Sequence, residues 1–235
     1  MSLGIMQPYF FPYLGYISLI KHVDDFILFD EVQFIRHGWI ERNRILKPTD
    51  GWQYIRVPLE NHIRETKIKK ILIDNNQNWK GKINAQLQHY KKVSPFFQEV
   101  MGLLEELFDK YYFDITSLNE AALNKICKYL NIDTPIKIFS KMSLQIEPVN
   151  APDEWALNIC KALNYDEYWN PPGGKEFFDK NKYAENQIKL CFHKSILQAY
   201  DQKRTKFEPG LSILDVMMFN APDKINQMLD DYELS

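Results

Sequence analysis

Five aromatic residues crowd the first sixteen positions of the chain: Tyr9, Phe10, Phe11, Tyr13 and Tyr16. Aromatic faces with hydroxyl groups at their tips are suited to stacking on a sugar ring or a nucleobase. The alternative is a hydrophobic plug over the end of a sheet. Gln7, Tyr13 and Gly15 favour binding, because a plug needs neither polar groups nor a close backbone approach. We therefore expect substrate contacts from Gln7, Tyr9, Tyr13, Gly15 and Tyr16.

A second polar stretch runs from position 34 to position 44 and carries three arginines. Guanidinium groups bind phosphate or carboxylate in a bidentate manner, so Arg42 and Arg44 are predicted to clamp an anionic group. Asn43 would place the substrate, and Trp39 offers a further stacking face. A solvated charged loop is the alternative. Asp30, at the end of a predicted buried strand where its pKa would be raised, is the best general-base candidate.

A third candidate is the stretch Pro171-Pro172-Gly173-Gly174-Lys175. Two glycines after a strand can cradle an anionic group with backbone N–H groups, and Lys175 would offset negative charge. The glycine spacing does not match a phosphate-binding P-loop, so a plain turn remains the alternative. Asp30, Arg42 and Lys175 are thus the candidate catalytic residues.

Composition restricts the class of protein. The 235 residues carry a net charge of −2, which argues against a nucleic-acid binder, and no apolar run approaches the about 20 residues of a membrane span. The three cysteines are far apart in apolar patterns, which indicates buried thiols in a reducing cytoplasm. The five histidines lack metal-ligand spacing, so no metal site is predicted, and no cofactor can be named.

These candidates need elements that bring them together. Apolar runs predict a strand over Leu3–Met6, a helix over Leu14–Val23 and a strand over Phe26–Phe29. Strand–helix–strand is the unit of parallel sheets, in which ligands bind outside the carboxyl ends of the strands. The loop 7–13 and Asp30 both follow such ends, so we expect them at one edge.

The rest of the chain continues the alternation around a helical block. Strands are predicted at 53–57, 67–73, 135–139, 165–169 and 188–192, and helices at 152–163, 212–221 and 223–231. Three further helices fall between 75 and 131, with Ser94 as one N-cap and Ser117 opening a capping box. We predict an α/β fold with a Rossmann-like parallel sheet, flanking helices and a helical subdomain: 1–74, 75–131 and 132–235.

Six segments together resemble the WbqC-like protein family: 5–16, 29–34, 38–45, 159–163, 173–177 and 211–215. The family is associated with bacterial surface-polysaccharide (O-antigen) biosynthesis, and its chemistry is poorly defined. The matching segments add Gln33, Gly173, Gly174, Ser212 and Asp215 to the candidate substrate-binding residues. The chain departs from the expected pattern at Glu31, at Glu41 and at Asn170-Pro171-Pro172.

The resemblance and the polar clusters together favour a cytoplasmic transferase. Its donor would be a nucleotide-activated sugar or an aminoacyl or acyl compound in glycan assembly. The alternative is a non-catalytic carbohydrate- or nucleotide-binding module that recruits synthesis partners. RNA binding through Lys67, Lys69, Lys70, Lys80 and Lys82 is weaker, because the net charge is near zero. Catalysis itself, the exact substrate and the oligomeric state stay open.

Overall fold

A mostly parallel six-stranded sheet forms the centre of the protein in the computed structural model, which describes residues 1–235. The eight strands are β1 (Ser2–Met6), β2 (Asp25–Leu28), β3 (Arg42–Leu46), β4 (Trp52–Arg56), β5 (Ile136–Ile138), β6 (Glu167–Asn170), β7 (Lys189–Ser195) and β8 (Tyr232–Leu234). The central sheet has the order β5-β2-β1-β6-β7-β8, and β3 and β4 form a separate antiparallel hairpin.

The order of the strands reverses at β1. The chain passes from β1 to β2 and then β5 on one side, and returns to β6, β7 and β8 on the other. All strand pairs of the central sheet are parallel except β7–β8. The connections on the two sides of β1 run in opposite directions, so a crevice is expected between the carboxyl ends of β1 and β6.

Eight α-helices accompany the strands: α1 (Leu14–Lys21), α2 (Trp79–Leu87), α3 (Phe97–Phe108), α4 (Ile115–Tyr129), α5 (Glu154–Leu163), α6 (Lys180–Glu185), α7 (Ile213–Phe219) and α8 (Pro222–Leu229). Four short 3-10 helices lie at Ile68–Lys70, Gln88–Lys92, Phe139–Lys141 and Pro172–Gly174. No helix has both the length and the apolar composition that crossing a membrane would require.

Both faces of the central sheet are buried. Successive strand residues point to opposite faces, so Phe26 and Leu28 pack into a core of 49 residues while Ile27 packs into one of 12. Residues of α1, α4 and α8 belong to the larger core, and residues of α5 and α6 to the smaller. A mostly parallel sheet with flanking helices is therefore confirmed.

The predicted strand at 67–73 is wrong, because the segment contains a 3-10 turn over Ile68–Lys70. Lys70 and Ile71 donate backbone hydrogen bonds to Lys67 and Ile68, three residues earlier. Ile68 and Ile71 are both fully buried, and this spacing of three is the period of a 3-10 helix rather than of a strand.

Two predicted helix caps are also wrong. Helix α3 begins at Phe97, and the Ser94 hydroxyl instead donates to the carbonyl of Met218 in α7. Helix α4 begins at Ile115, with Asp114 as its N-cap. The Asp114 carboxylate accepts from both the amide and the hydroxyl of Ser117, and a carboxylate is as good a cap as a hydroxyl.

The arginine-rich stretch ends in strand β3, where the sequence indicated only a charged segment. Its charged residues pair across the hairpin, with Arg42 opposite Arg56 and Arg44 opposite Tyr54. Asn43 and Ile45 alternate with them and are buried. The strand places Asn43 toward the core and Arg44 beside the loop that follows β1.

Candidate functional site

A cavity of about 790 Å³ opens at the carboxyl ends of β1 and β6, where the strand order reverses. We call it the main chamber. Its wall includes Met6 and Gln7 at the end of β1, Gln33 after β2, Trp155 on α5, Asn170 at the end of β6 and Phe177 beyond it. Most of the other lining side chains are apolar. The volume lies within the range of small-molecule and cofactor sites.

A second cavity of about 400 Å³, the tyrosine chamber, adjoins the first. Its wall is formed by the predicted binding residues Tyr9, Tyr13, Tyr16, Trp39, Asn43 and Arg44, together with Met6, Pro171, Leu197 and Gly210. Met6 and Tyr9 line both chambers. The tyrosines, one predicted guanidinium group and Pro171, two residues before the glycine pair, therefore share one edge of the sheet.

A third cavity of about 580 Å³, the arginine recess, contains Arg36 and Arg64. This recess and the main chamber share four lining residues, the polar Gln7 and Gln33 and the apolar Val32 and Ile35. The three cavities therefore adjoin one another at one end of the sheet.

The aromatic loop divides its residues between the core and the cavities. Phe10 and Phe11 are fully buried, with their ring centroids 4.6 Å apart in an edge-to-face arrangement. The Asn43 amide donates to both of their carbonyls, at 3.0 and 2.7 Å. This anchor holds Phe11 at a φ of 42° and leaves Tyr9 and Tyr13 in the chamber walls. The loop is thus a plug on one side and a cavity wall on the other.

Tyr16 and Gly15 support this wall from helix α1. The Tyr16 hydroxyl donates to the Gln7 carbonyl at 2.8 Å, and its ring stacks on Tyr9 at a centroid distance of 5.2 Å. Burial raises the pKa of Tyr16 well above its usual value, so the hydroxyl stays protonated. At Gly15, a Cβ atom would lie 2.5 Å from the Tyr13 ring, so only glycine lets this ring pack here.

Arg44 lies between aromatic rings at the tyrosine chamber. Its guanidinium carbon is 5.4 Å from the Trp39 ring centroid and 5.2 Å from that of Trp52. One terminal nitrogen donates to the Gly210 carbonyl at 3.0 Å, whereas the buried Nε has no partner. A buried donor without a partner is costly, so this group is a candidate for binding an acceptor on a ligand.

The three candidate catalytic residues lie outside the walls of these cavities. Both oxygens of buried Asp30 accept from Ser140, at 3.1 Å from its amide and 2.6 Å from its hydroxyl. Arg42 donates to the carbonyls of His37 and Gly38 and covers the Tyr54 ring at 4.3 Å. Lys175 lies 5.4 Å from the centroid of the Phe192 ring. These contacts are typical of residues that stabilise the fold. The catalytic roles of Asp30, Arg42 and Lys175 stay predictions.

The glycine pair forms a short 3-10 turn, Pro172–Gly174, in which amides are already used. The amides of Gly174 and Lys175 donate to the carbonyls of Pro171 and Pro172. They are therefore not free to cradle an anion, because turn formation consumes them. Gly174 lines the main chamber, and a Cβ atom there would lie 2.3 Å from the amide nitrogen of Asn170. Gly173 has open space around its Cα.

Ser212 and Asp215 lie behind the aromatic loop rather than in a cavity wall. The Ser212 hydroxyl donates to the Phe11 carbonyl at 2.8 Å and accepts from the Leu214 amide, which makes it the N-cap of α7. The fully buried Asp215 carboxylate accepts from two tyrosines and a glutamine: Tyr90, Tyr200 and Gln202. Burial raises the pKa of Asp215, and these donors oppose that shift.

Most of the lysines of the RNA-binding alternative have partners within the protein. Lys67 and Lys69 contact the Glu31 carboxylate at 2.9 and 2.6 Å, and these contacts lower the pKa of Glu31. Lys80 donates to the carbonyls of Phe108 and Lys110. These contacts leave less free charge for phosphate groups. No group of three His, Cys, Asp or Glu residues is arranged to hold a metal ion.

Sequence reasoning missed many residues of the cavity walls, and three of them show why. Asn170 had a usable signal, because it is polar and ends strand β6 at the edge already expected to bind ligands. Trp155 lies on the apolar face of α5 and looked like a core residue. Arg64 lies in a polar loop far from β1 in sequence, so only the folded chain reveals its position beside Arg36.

The model of the WbqC-like protein family matches residues 7–227, nearly the whole chain. An uncharacterized protein of Mycobacterium tuberculosis is 31% identical over 228 residues, covering 94% of this chain and 96% of that protein. No solved structure matches the chain significantly. The matched region includes all lining residues of the three cavities except Ile5 and Met6 of β1. The chain belongs to the WbqC-like protein family.

Proposed function

We propose that the protein is a transferase of bacterial surface-polysaccharide biosynthesis that binds its substrates in the crevice at the end of β1. The tyrosine chamber receives the sugar or nucleotide part of one substrate. The main chamber receives the group of the other substrate, and the two meet at Met6 and Tyr9, which line both cavities. This sharing of walls is the observation that carries the proposal, because transfer requires two substrates side by side.

The chemistry of the tyrosine chamber supports a sugar or a nucleobase as ligand. Tyr13 and Trp39 offer aromatic faces, and Arg44 offers a charged donor beside them. Aromatic rings stack on sugars and bases, while a guanidinium group binds phosphate oxygens. In this proposal Gln7, whose backbone carbonyl is held by Tyr16, orients the substrate at the junction.

A second candidate function is a non-catalytic binding module. The observation that favours it is that Asp30, Arg42 and Lys175 all have contacts within the protein and lie outside the cavity walls. Such a module would use the same aromatic contacts to hold a glycan precursor for a partner enzyme. Binding alone does not separate the two functions, whereas turnover does.

The test measures binding of UDP-sugars by calorimetry and product formation by mass spectrometry. We expect Arg44→Gln to weaken binding by about ten- to a hundredfold, as for loss of a charged hydrogen bond. Tyr13→Phe should weaken it by about three- to tenfold, whereas Tyr111→Phe, which alters an exposed tyrosine, should not change it.

Turnover is then measured with UDP-sugars together with aminoacyl and acyl donors. Formation of a modified sugar by the wild type, with less product from Gln7→Ala, supports the transferase. Binding without product in any combination favours the module. Equal affinity for UDP-sugars in the wild type and Arg44→Gln removes the tyrosine chamber from both functions.

A further inference from the structure

Two arginines of the arginine recess have no acidic partner. Arg36 and Arg64 line the same cavity, and neither takes part in any salt bridge of the protein. The protein contact of Arg36 is one hydrogen bond of 3.2 Å to the His62 carbonyl. Most guanidinium donors of this pair are therefore free. Two such forks facing one cavity are suited to a phosphate or a carboxylate.

The main chamber beside this recess is mostly apolar. Its walls include Phe29, Trp155 and Phe178, and the rim residues Ile35 and Phe177 are 58% and 53% exposed. Large apolar side chains left open around a cavity indicate a site for an apolar group. Its polar groups are the amides of Gln7, Gln33, Asn150 and Asn170 and the hydroxyls of Tyr9 and Tyr168, and none of them is charged, so the chamber by itself favours an apolar group over an anionic one.

The two cavities adjoin, because Gln7, Gln33 and Ile35 line both of them. One ligand can therefore place an apolar part in the main chamber and a charged part between the arginines. The net charge of the chain is −2, so the protein as a whole does not attract anions. Binding of an anion would therefore depend on the local positive charge of Arg36 and Arg64. The local arrangement favours a molecule with two chemically distinct ends.

We propose that the main chamber and the arginine recess together bind an anionic amphiphile. Its alkyl or acyl chain lies in the main chamber, and its phosphate or carboxylate lies between Arg36 and Arg64. This inference rests on the proposed function and deepens it, because it identifies the second substrate as an acyl-type compound rather than an activated sugar.

The test uses hexyl, octyl and decyl phosphate, with inorganic phosphate as the probe that has no chain. Trp155 lines the chamber and reports binding by its fluorescence, and Trp155→Phe identifies its part of the signal. Each added CH₂ group should tighten binding by about fourfold, since burial of one contributes about 0.8 kcal/mol. Alkyl carboxylates of the same lengths distinguish an acid from a phosphate ester, and tight binding of either supports the proposal.

Variants separate the two ends of the ligand. Arg36→Gln with Arg64→Gln should weaken octyl phosphate by tenfold or more and leave octanol unchanged. Ile35→Ser with Phe177→Ser should flatten the dependence on chain length and leave the contribution of the phosphate. Arg56→Gln is the matched control, because Arg56 also lacks a salt bridge but lines a different cavity.

Affinity that does not change with chain length, or that survives loss of both arginines, overturns the proposal. Its failure is distinct from failure of the proposed function. If octyl phosphate does not bind while UDP-sugars still bind in a manner sensitive to Arg44, only the identity of the second substrate is wrong. If neither class binds, the crevice is not the substrate site.

Discussion

At the scale of single residues, Asp215 was predicted to bind substrate, but its hydrogen bonds lie in the protein core. Its carboxylate is fully buried, and three donors from two distant parts of the chain converge on it: Tyr90, and the neighbouring Tyr200 and Gln202. Tyr90 also accepts a hydrogen bond of 2.9 Å from the Leu46 amide in β3. The network therefore links the β3–β4 hairpin to helix α7, which carries Asp215.

Replacement of this carboxylate should destabilise the protein. Asp215→Ala leaves three donors without their acceptor, so we expect the free energy of unfolding to fall by about 3 kcal/mol or more. Urea denaturation followed by circular dichroism measures the change. Asp201→Ala is the control, because that carboxylate is exposed and its substitution should cost less than about 0.5 kcal/mol. Equal stability of the two variants would show that the network does not stabilise the fold.

Asn43 also makes hydrogen bonds within the protein, although it lines the tyrosine chamber. Its amide holds the carbonyls of Phe10 and Phe11, and its oxygen accepts from the Arg44 amide at 2.8 Å. It was predicted to place the substrate directly. Its hydrogen bonds place the aromatic loop, and a contact with substrate remains a prediction.

At the scale of elements, the start of helix α1 depends on one glycine. Glycine within a helix costs about 1 kcal/mol relative to alanine, so a glycine there needs a reason. At Gly15 the reason is Tyr13, whose ring lies 2.5 Å from where a Cβ atom would be. The turn that enters the helix thereby brings the Tyr13 ring against the helix and into the wall of the tyrosine chamber.

A double-mutant cycle between these two residues tests the packing. In the Tyr13→Ala background, Gly15→Ala should raise the free energy of unfolding by about 0.5–1 kcal/mol, because helix propensity then acts alone. In the wild-type background the same substitution displaces the ring, and the gain should disappear or reverse. Chemical denaturation of the four proteins gives the coupling energy. Additive effects would mean that Tyr13 does not pack on Gly15.

At the scale of the whole molecule, the carboxyl-terminal part of the chain closes the sheet around a buried histidine. His193 on β7 is 2% exposed and lies 3.1 Å from the Ser18 hydroxyl of α1. Its ring stacks on Tyr232 of β8, and His22, which contacts Asp230, lies beside it. Burial, with a smaller effect of His22, lowers the pKa of His193 to about 4.

This shift predicts a loss of stability in acid. The ordinary pKa of histidine is about 6.5, so between roughly pH 4 and 6.5 the unfolded chain binds the proton that folded His193 excludes. Stability should therefore be complete above this range and fall as the pH is lowered through it, by at most about 3 kcal/mol. Thermal or urea denaturation across pH 4 to 7 measures the slope.

A variant that cannot titrate isolates this histidine from its neighbours. His193→Gln keeps a donor for Ser18, and we expect its stability to depend less on pH than that of the wild type. His37→Gln removes an exposed histidine and should leave the slope unchanged. A wild-type slope in His193→Gln would assign the acid sensitivity to other groups, of which His22 and Asp230 lie closest.

Much of the central sheet could be predicted from local patterns. The strands β1 and β2 are mainly apolar, as buried parallel strands are, and shorter apolar or aromatic stretches mark β5, β6 and β7. The helical spacing of α1 and α5 is also visible in the sequence. The helix predicted over 152–163 does end at Leu163, where Asn164 follows with a left-handed φ of 58°. The strand β3 was not visible, because its arginines contact aromatic rings across the hairpin and donate to carbonyls outside it, those of Gly38 and Gly210.

The sequence by itself determined the family, the mostly parallel sheet and the edge at which the aromatic loop lies. Only the tertiary structure decided which polar residues of that edge face a cavity and which hold the fold. In the sequence, Asp30 and Arg44 are both charged residues near the predicted binding edge. In the structure, the Asp30 carboxylate accepts from Ser140, whereas Arg44 lines the tyrosine chamber. The physical reason is that the partners of these groups come from segments distant in sequence, and such contacts cannot be inferred from local sequence patterns.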